Sequence, residues 1–170
     1  LRDADQNLKF APISRIDWDA YFINIGDFSL SVSCKYPYPG WSKFRDAITQ
    51  AIEILNFSGI VGKVERYSLK YVDLFPAATD REKISMLNMK VMIADHELRE
   101  EPFQMRMEIS KNGLIHAVQM VSSANAVLHN GVTKDGLVVD VDTLAVLDGI
   151  SMQTLQDDFS TKLDSIHSAN

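Results

Sequence analysis

The chain predicts an α+β fold in which one large twisted antiparallel sheet carries two helices packed on one face. Three observations lead there. Strand-length runs of alternating polar and apolar residues recur through most of the 170 residues. Two segments, Gly40 to Phe57 and Ser151 onward, switch to apolar spacings of three and four, the period of a helix. Short turn sequences join successive strands, and strands joined in this way are most simply antiparallel neighbours. A chain of this length is expected to be a single α+β domain over residues 1–170, large enough to bury a sizeable core.

In chain order, residues 1–19 form a mostly irregular lead anchored by Phe10, Ile13, Ile16 and Trp18. From Tyr21 the period becomes two: Tyr21, Ile23 and Ile25 alternate, Gly26-Asp27 turns the chain, and Phe28, Leu30, Val32, Cys34 and Tyr36 face away from Ser29, Ser31, Ser33 and Lys35. Pro37 and Pro39 end that strand. The first helix carries Trp41, Phe44, Ile48, Ala51, Ile52 and Leu55 on one stripe, with Asn56 and Gly59 as stop residues. Val64 to Asp73 then alternates again, setting Glu65, Tyr67, Leu69 and Tyr71 toward the helix and Arg66, Ser68 and Lys70 away from it. Pro76 to Lys83 is a polar connection, Ser85 to Ile93 a strand, Asp95 to Glu101 an acidic turn, and Phe103 to Ile109 another strand. Lys111-Asn112-Gly113 makes a hairpin turn into Leu114 to Val121, since Asn-Gly accepts the positive φ such turns need. Asn130-Gly131 and Asp135-Gly136 bracket the connection to the strand Leu137 to Asp142. Ser151 caps the second helix, whose stripe is Met152, Leu155, Phe159, Leu163 and Ile166.

Composition narrows the function classes. Hydrophobic residues make up 46% and charged residues 24%, which is globular rather than disordered. A net charge of -6, with no Lys/Arg run, repels a polyanion, so no nucleic-acid partner is expected. No apolar run reaches the roughly 18 to 20 residues of a membrane helix, and no membrane partner is expected. The lone Cys34 supports neither an internal disulfide nor a cysteine-rich zinc site, which fits a reducing cytoplasm.

Chemistry-bearing patterns are sparse. Asp95-His96-Glu97-Leu98-Arg99-Glu100 superficially resembles a zinc-protease helix without its second histidine, and a solvated acidic turn accounts for it. Asp140 and Asp142 share a strand face and would need Glu108 or Glu65 to hold a hard cation, but carboxylates alternating with valines are what any half-exposed strand shows. His96, His116, His129 and His167 fall on different elements with no Ser/His/Asp or Cys/His spacing. Gly59-Ile60-Val61-Gly62 lacks the Lys-Ser/Thr of a phosphate loop. No metal and no cofactor is called for. The most informative cluster is Arg66, Lys70, Arg106, Glu108, Asp140 and Asp142, joined by Lys90, on the sheet face away from the helices. It reads as a charged cross-strand ladder or as a surface for an acidic partner segment or small anionic ligand. Trp41, Tyr67 and Tyr71 read as helix–sheet core rather than a stacking platform.

Trp41 and Phe44 opening the helix, Arg66 with Leu69-Lys70-Tyr71-Val72-Asp73, the Val139-Asp140-Val141-Asp142-Thr143 strand and a last helix with Leu163 and His167 resemble a sporadically distributed family of uncharacterised prokaryotic proteins. Its pattern runs Tyr-x-x-Trp-x-x-Phe, Arg-x-x-Leu-Arg-Tyr-Ile-Asn and hydrophobic-Asp-x-Asp-Thr. Here Lys70 stands for the usual Arg and Asp73 for the usual Asn. The resemblance spans about Trp18 to His167 and implies a chain truncated at its start, lacking a further N-terminal strand and helix. It brings no activity with it. Two expectations follow. The first is a non-catalytic binding or interaction module of a prokaryotic regulatory or defence system. The alternative is an enzyme acting on a small anionic substrate with an Arg/carboxylate cluster on the open sheet face. A protein partner or self-association is expected, with a homodimer through the open face or an edge strand, because Met86, Met92 and Ile115 fall outside the helix-covered side.

Overall fold

The computed structural model describes residues 11–127 and 131–170; Phe10, His129 and Asn130 lie outside them. The protein is α+β with antiparallel sheets, and its chain divides into two compact units, residues up to Gly62 with Met152–Ser160, and Lys63–Ser151 with Thr161–Asn170.

The first unit holds a three-stranded antiparallel sheet of β1 (Ser14–Trp18), β2 (Tyr21–Ile25) and β3 (Leu30–Cys34), in that order. β1 lies in the stretch expected to be irregular. Ile16 and Trp18 supply the alternation, and Asp19, at φ 50, turns the chain so that Trp18 pairs with Tyr21. The register sets Ile16, Ile23 and Val32 in one row and Trp18, Tyr21 and Cys34 in the next. The other face is polar: Asn24 accepts from Arg15 and donates to Ser31 and Ser33, while Arg15 and Lys35 both stand over the Phe22 ring. Phe28 and Tyr36 fall beyond the ends of β3 and are exposed.

Helix α1 (Trp41–Ser58) buries Phe44 and Ala51 of the expected stripe together with Ala47, and ends at Gly59, whose φ of 65 is the left-handed conformation of a C-terminal stop. Phe44 is the centre of an aromatic group, stacked with Tyr21 and edge-on to Tyr38 and Trp41. Tyr21 also donates to the Lys43 carbonyl at 2.9 Å. Helix α3 (Met152–Asp157) packs on α1, with Met152 and Leu155 buried and Asn56 donating to Gln153. The expected single C-terminal helix is thus two: α3 and α4 (Phe159–Ala169), separated at Asp158.

The second unit is built on a four-stranded antiparallel sheet of β4 (Val64–Pro76), β7 (Gln104–Lys111), β8 (Leu114–Val127) and β9 (Thr133–Ile150), in the order β4-β9-β8-β7. The last strand in sequence is therefore central. β9 runs well past the expected Leu137 to Asp142 because Leu144, Ala145 and Val146 continue pairing with β4. Asn112 and Gly113, at φ 53 and 77, form the hairpin turn between β7 and β8. Leu69, Met120, Leu137, Thr143 and Ala145 are buried, and the register sets all five on one face. That closed face meets the C-terminal part of α4, where Leu163 and Ile166 are buried, His167 Nδ1 lies 3.0 Å from the Tyr71 hydroxyl and Asn170 donates to the Leu69 carbonyl.

Between β4 and β7 the structure departs from the pattern. Asp80–Ser85 is a short helix, α2, closed by a capping box in which Thr79 accepts from the Glu82 amide and the Glu82 carboxylate accepts from the Thr79 amide. The run Ser85 to Ile93 is consequently no strand of the main sheet. Only β5 (Met92–Ile93) pairs, with β6 (His96–Glu97) from within the acidic turn, and Lys90 reaches Glu97 at 3.8 Å instead of joining the charged ladder. No helix among the described residues is long and apolar enough to cross a membrane.

Candidate binding face

Antiparallel pairing fixes which side chains share a face, because successive residues point to opposite sides and directly paired residues to the same side. Even-numbered residues of β4, β7 and β9 and odd-numbered residues of β8 up to Val121, where its register shifts, form the face opposite α4. The register there gives the row Lys70–Asp142–Ala117–Glu108, flanked on one side by Val72–Asp140–Gln119–Arg106 and on the other by Ser68–Leu144–Ile115–Ser110. Beyond these lie Leu74–Val138–Val121–Gln104 at one end and Arg66–Val146 at the other. Arg66, Lys70, Arg106, Glu108, Asp140 and Asp142 are thus brought onto one surface from three strands. Lys90, from outside the sheet, is not among them.

Lys70 Nζ bridges diagonally to Asp140 Oδ2 at 2.7 Å, with the lysine side chain 52% and the aspartate 21% exposed. Arg106 pairs with Glu108 along β7 at 3.1 Å, both more than 60% exposed. Exposed pairs of this kind contribute at most about 1 kcal/mol each to stability. Asp142 Oδ1 is buried without a hydrogen-bond partner among the described residues. Apolar side chains are interleaved with the charges, and Val72 and Val146 are more than half exposed.

The remaining patterns resolve into structural contacts. In the turn after β6, Glu101 accepts from the Arg99 and Glu100 amides and pairs with His96, and the backbone donors hold its carboxyl down at about 2. Glu97 is occupied by Arg99 at 2.8 Å. His116 Nδ1 lies 2.9 Å from Thr143 Oγ1 on the closed face. Among the described residues no group of three His, Cys, Asp or Glu side chains is arranged to hold a metal ion, and Glu65 sits at the irregular start of β4.

Sequence reasoning missed Lys83. It is almost fully buried between Asp80 at 3.1 Å and Asp135 at 3.4 Å, while Ser123 donates to Asp80. The Asp80 hydrogen bond, the largest influence, raises the lysine's pKa, and the same bond lowers that of Asp80. An ammonium held in this way is a strut between α2, β8 and β9 and not a base. The Thr79-x-x-Glu82 spacing was its one sequence-level signal. In the first unit an open groove of about 360 Å³ runs along α1, lined by Trp18, Asp19, Tyr21, Lys43, Asp46 and Gln50. Comparison with family models, with curated proteins and with solved structures gives no match, so the site is read from its own geometry.

Proposed function

We propose that the protein is a non-catalytic interaction module that engages a protein partner through the open face of its four-stranded sheet. The observation that carries this is the row structure: cations at Lys70 and Arg106, acids at Asp140, Asp142 and Glu108, and apolar side chains between them, all on one sheet face. Mixed-sign charge at fixed strand spacings is suited to a surface of complementary pattern, because misregistered partners meet like charges. Chemistry on a small substrate would instead need reacting groups converging across a cleft. Here Asp140 and Asp142 stand side by side on one strand.

A photo-crosslinking side chain at Gln119, in the centre of the face, tests this in cells making the full chain. The expected result is a discrete adduct that is lost when Lys70 and Arg106 are both changed to alanine, and that a crosslinker at the exposed Glu53 of α1 does not give. Absence of an adduct from Gln119, or an adduct indifferent to the two substitutions, would overturn the proposal.

A further inference from the structure

We infer that the partner of the open face is a second copy of the chain, the two sheets stacked face to face about a two-fold axis parallel to their strands. This deepens the function proposed above and rests on it. The inference comes from the order of the rows. Such an axis leaves each row at its own height and reverses the strand order, laying β4 over the partner's β7 and β9 over the partner's β8. Lys70 then faces the partner's Glu108, at both ends of the same row. Asp140 faces the partner's Gln119, with the partner's Arg106 one strand spacing away, about 5 Å. Leu144 faces the partner's Ile115, and Val138 the partner's Val121. The end charges of the Lys70 row thus meet their opposites and the Leu144 and Val138 rows meet apolar side chains, while Asp142 lies over the partner's Ala117 and Val72 over the partner's Arg106.

The alternative two-fold axis, across the strands, fails by the same test. It lays each strand over its own copy. Centred on the row of Lys70, it stacks Lys70 on Lys70, Asp142 on Asp142 and Glu108 on Glu108; centred between that row and the row of Val72, it stacks Asp140 on Asp142; centred between that row and the row of Ser68, it lays Lys70 on Ser68, Asp142 on Leu144 and Glu108 on Ser110, so that no charge meets its opposite. Like charges directly opposed are repulsive.

Size is sufficient. Four strands are about 19 Å across, and the stretch from Arg66 to Leu74 is about 30 Å long, so two such faces bury roughly 1,100 Å² together, just above the roughly 1,000 Å² that a specific interface clears. Stacked sheets differ in strand direction by about 30°, which displaces the end rows more than the central ones that carry the charges. Within one copy Lys70 and Glu108 are three strand spacings apart, about 14 Å, and cannot pair with each other.

That separation supplies the test. The mass of the full chain is measured by sedimentation at tens of micromolar for the wild type, for Lys70→Glu, for Glu108→Lys and for an equal mixture of the two variants. The wild type is expected to be dimeric. Each variant alone places like charges at both symmetric contacts and should dimerise roughly tenfold or more weakly. The mixture should regain the dimer, because pairing unlike variants restores opposite charges at both contacts, which a misfolded variant cannot do. A dimer that both variants retain, or a mixture that stays monomeric, overturns this arrangement. A monomeric wild type overturns it as well. If the Gln119 crosslink then still captures a different chain, the open-face function stands; if that crosslink is also absent, both fall.

Discussion

Phe159 is only 5% exposed and sits at the start of α4, one turn after the buried Leu155. Truncating a buried phenylalanine removes its transfer free energy and leaves a cavity, so Phe159→Ala should cost roughly 3 to 5 kcal/mol in urea unfolding. A loss below about 1 kcal/mol would mean that the site collapses around the smaller side chain. Glu101 makes the opposite kind of prediction, about charge in place of packing. Backbone amides hold its carboxyl at about 2, below the ordinary 4.5. A lowered carboxyl favours the folded turn above the ordinary value, and that preference is lost as pH falls from about 4.5 through about 2. Carboxyl carbon NMR should give Glu101 a midpoint near 2, and an ordinary midpoint would show that the amide contacts of Arg99 and Glu100 do not persist in solution. Cys34 has its thiol pushed up to about 11 by burial, which makes it a poor nucleophile and fits the role of a packing residue in β3.

At the scale of elements, Gly136 shows how tightly β9 is laid against β4. A Cβ built there would come within 2.5 Å of the Phe75 carbonyl oxygen and 3.0 Å of a Leu74 methyl. The obstacle is backbone, which cannot swing aside, so Gly136→Ala should destabilise the sheet by roughly 1 to 3 kcal/mol as overpacking. Thermal melting checks this, and a neutral substitution would mean that the end of the ladder is looser than its register implies. The same pairing explains what was legible beforehand. Alternation in β4 and β7 and the Asn112-Gly113 turn carry strong local signals, and the faces of Arg66, Lys70, Arg106, Glu108, Asp140 and Asp142 follow from parity alone. The position of β9 between β4 and β8 was not legible, since no local pattern records which of several strands a long-range pairing selects. Ser85 to Ile93 misled because its alternating Leu87, Met89, Val91 and Ile93 mimic a strand, while the capping box at Thr79 and Glu82 sets the chain into a helix just before it. β1 was hidden because Ile16 and Trp18 are the only apolar residues of its alternation, too few to mark a strand.

For the whole molecule, the net charge of -6 sets the far field, and the open face decides whether any local surface reverses it. Lys70 is bridged to Asp140, Arg106 to Glu108, and Asp142 lies directly across from Lys70, so the cations of this face are interleaved with acids at strand spacing. A polyanion tracking the surface meets alternating signs within a Debye length of about 8 Å at physiological salt and gains little from any single cation. The full chain should therefore pass through a heparin column at about 0.15 M salt and neutral pH. Neutralising the acids isolates the cause: the combined variant Asp140→Asn, Asp142→Asn and Glu108→Gln leaves Lys70 and Arg106 on one face without their countercharges and should gain salt-sensitive retention. Wild-type retention at that salt would reveal a basic surface elsewhere on the chain. A variant that still flows through would mean that the far field of the remaining acids, and not the interleaving on this face, is what excludes polyanions.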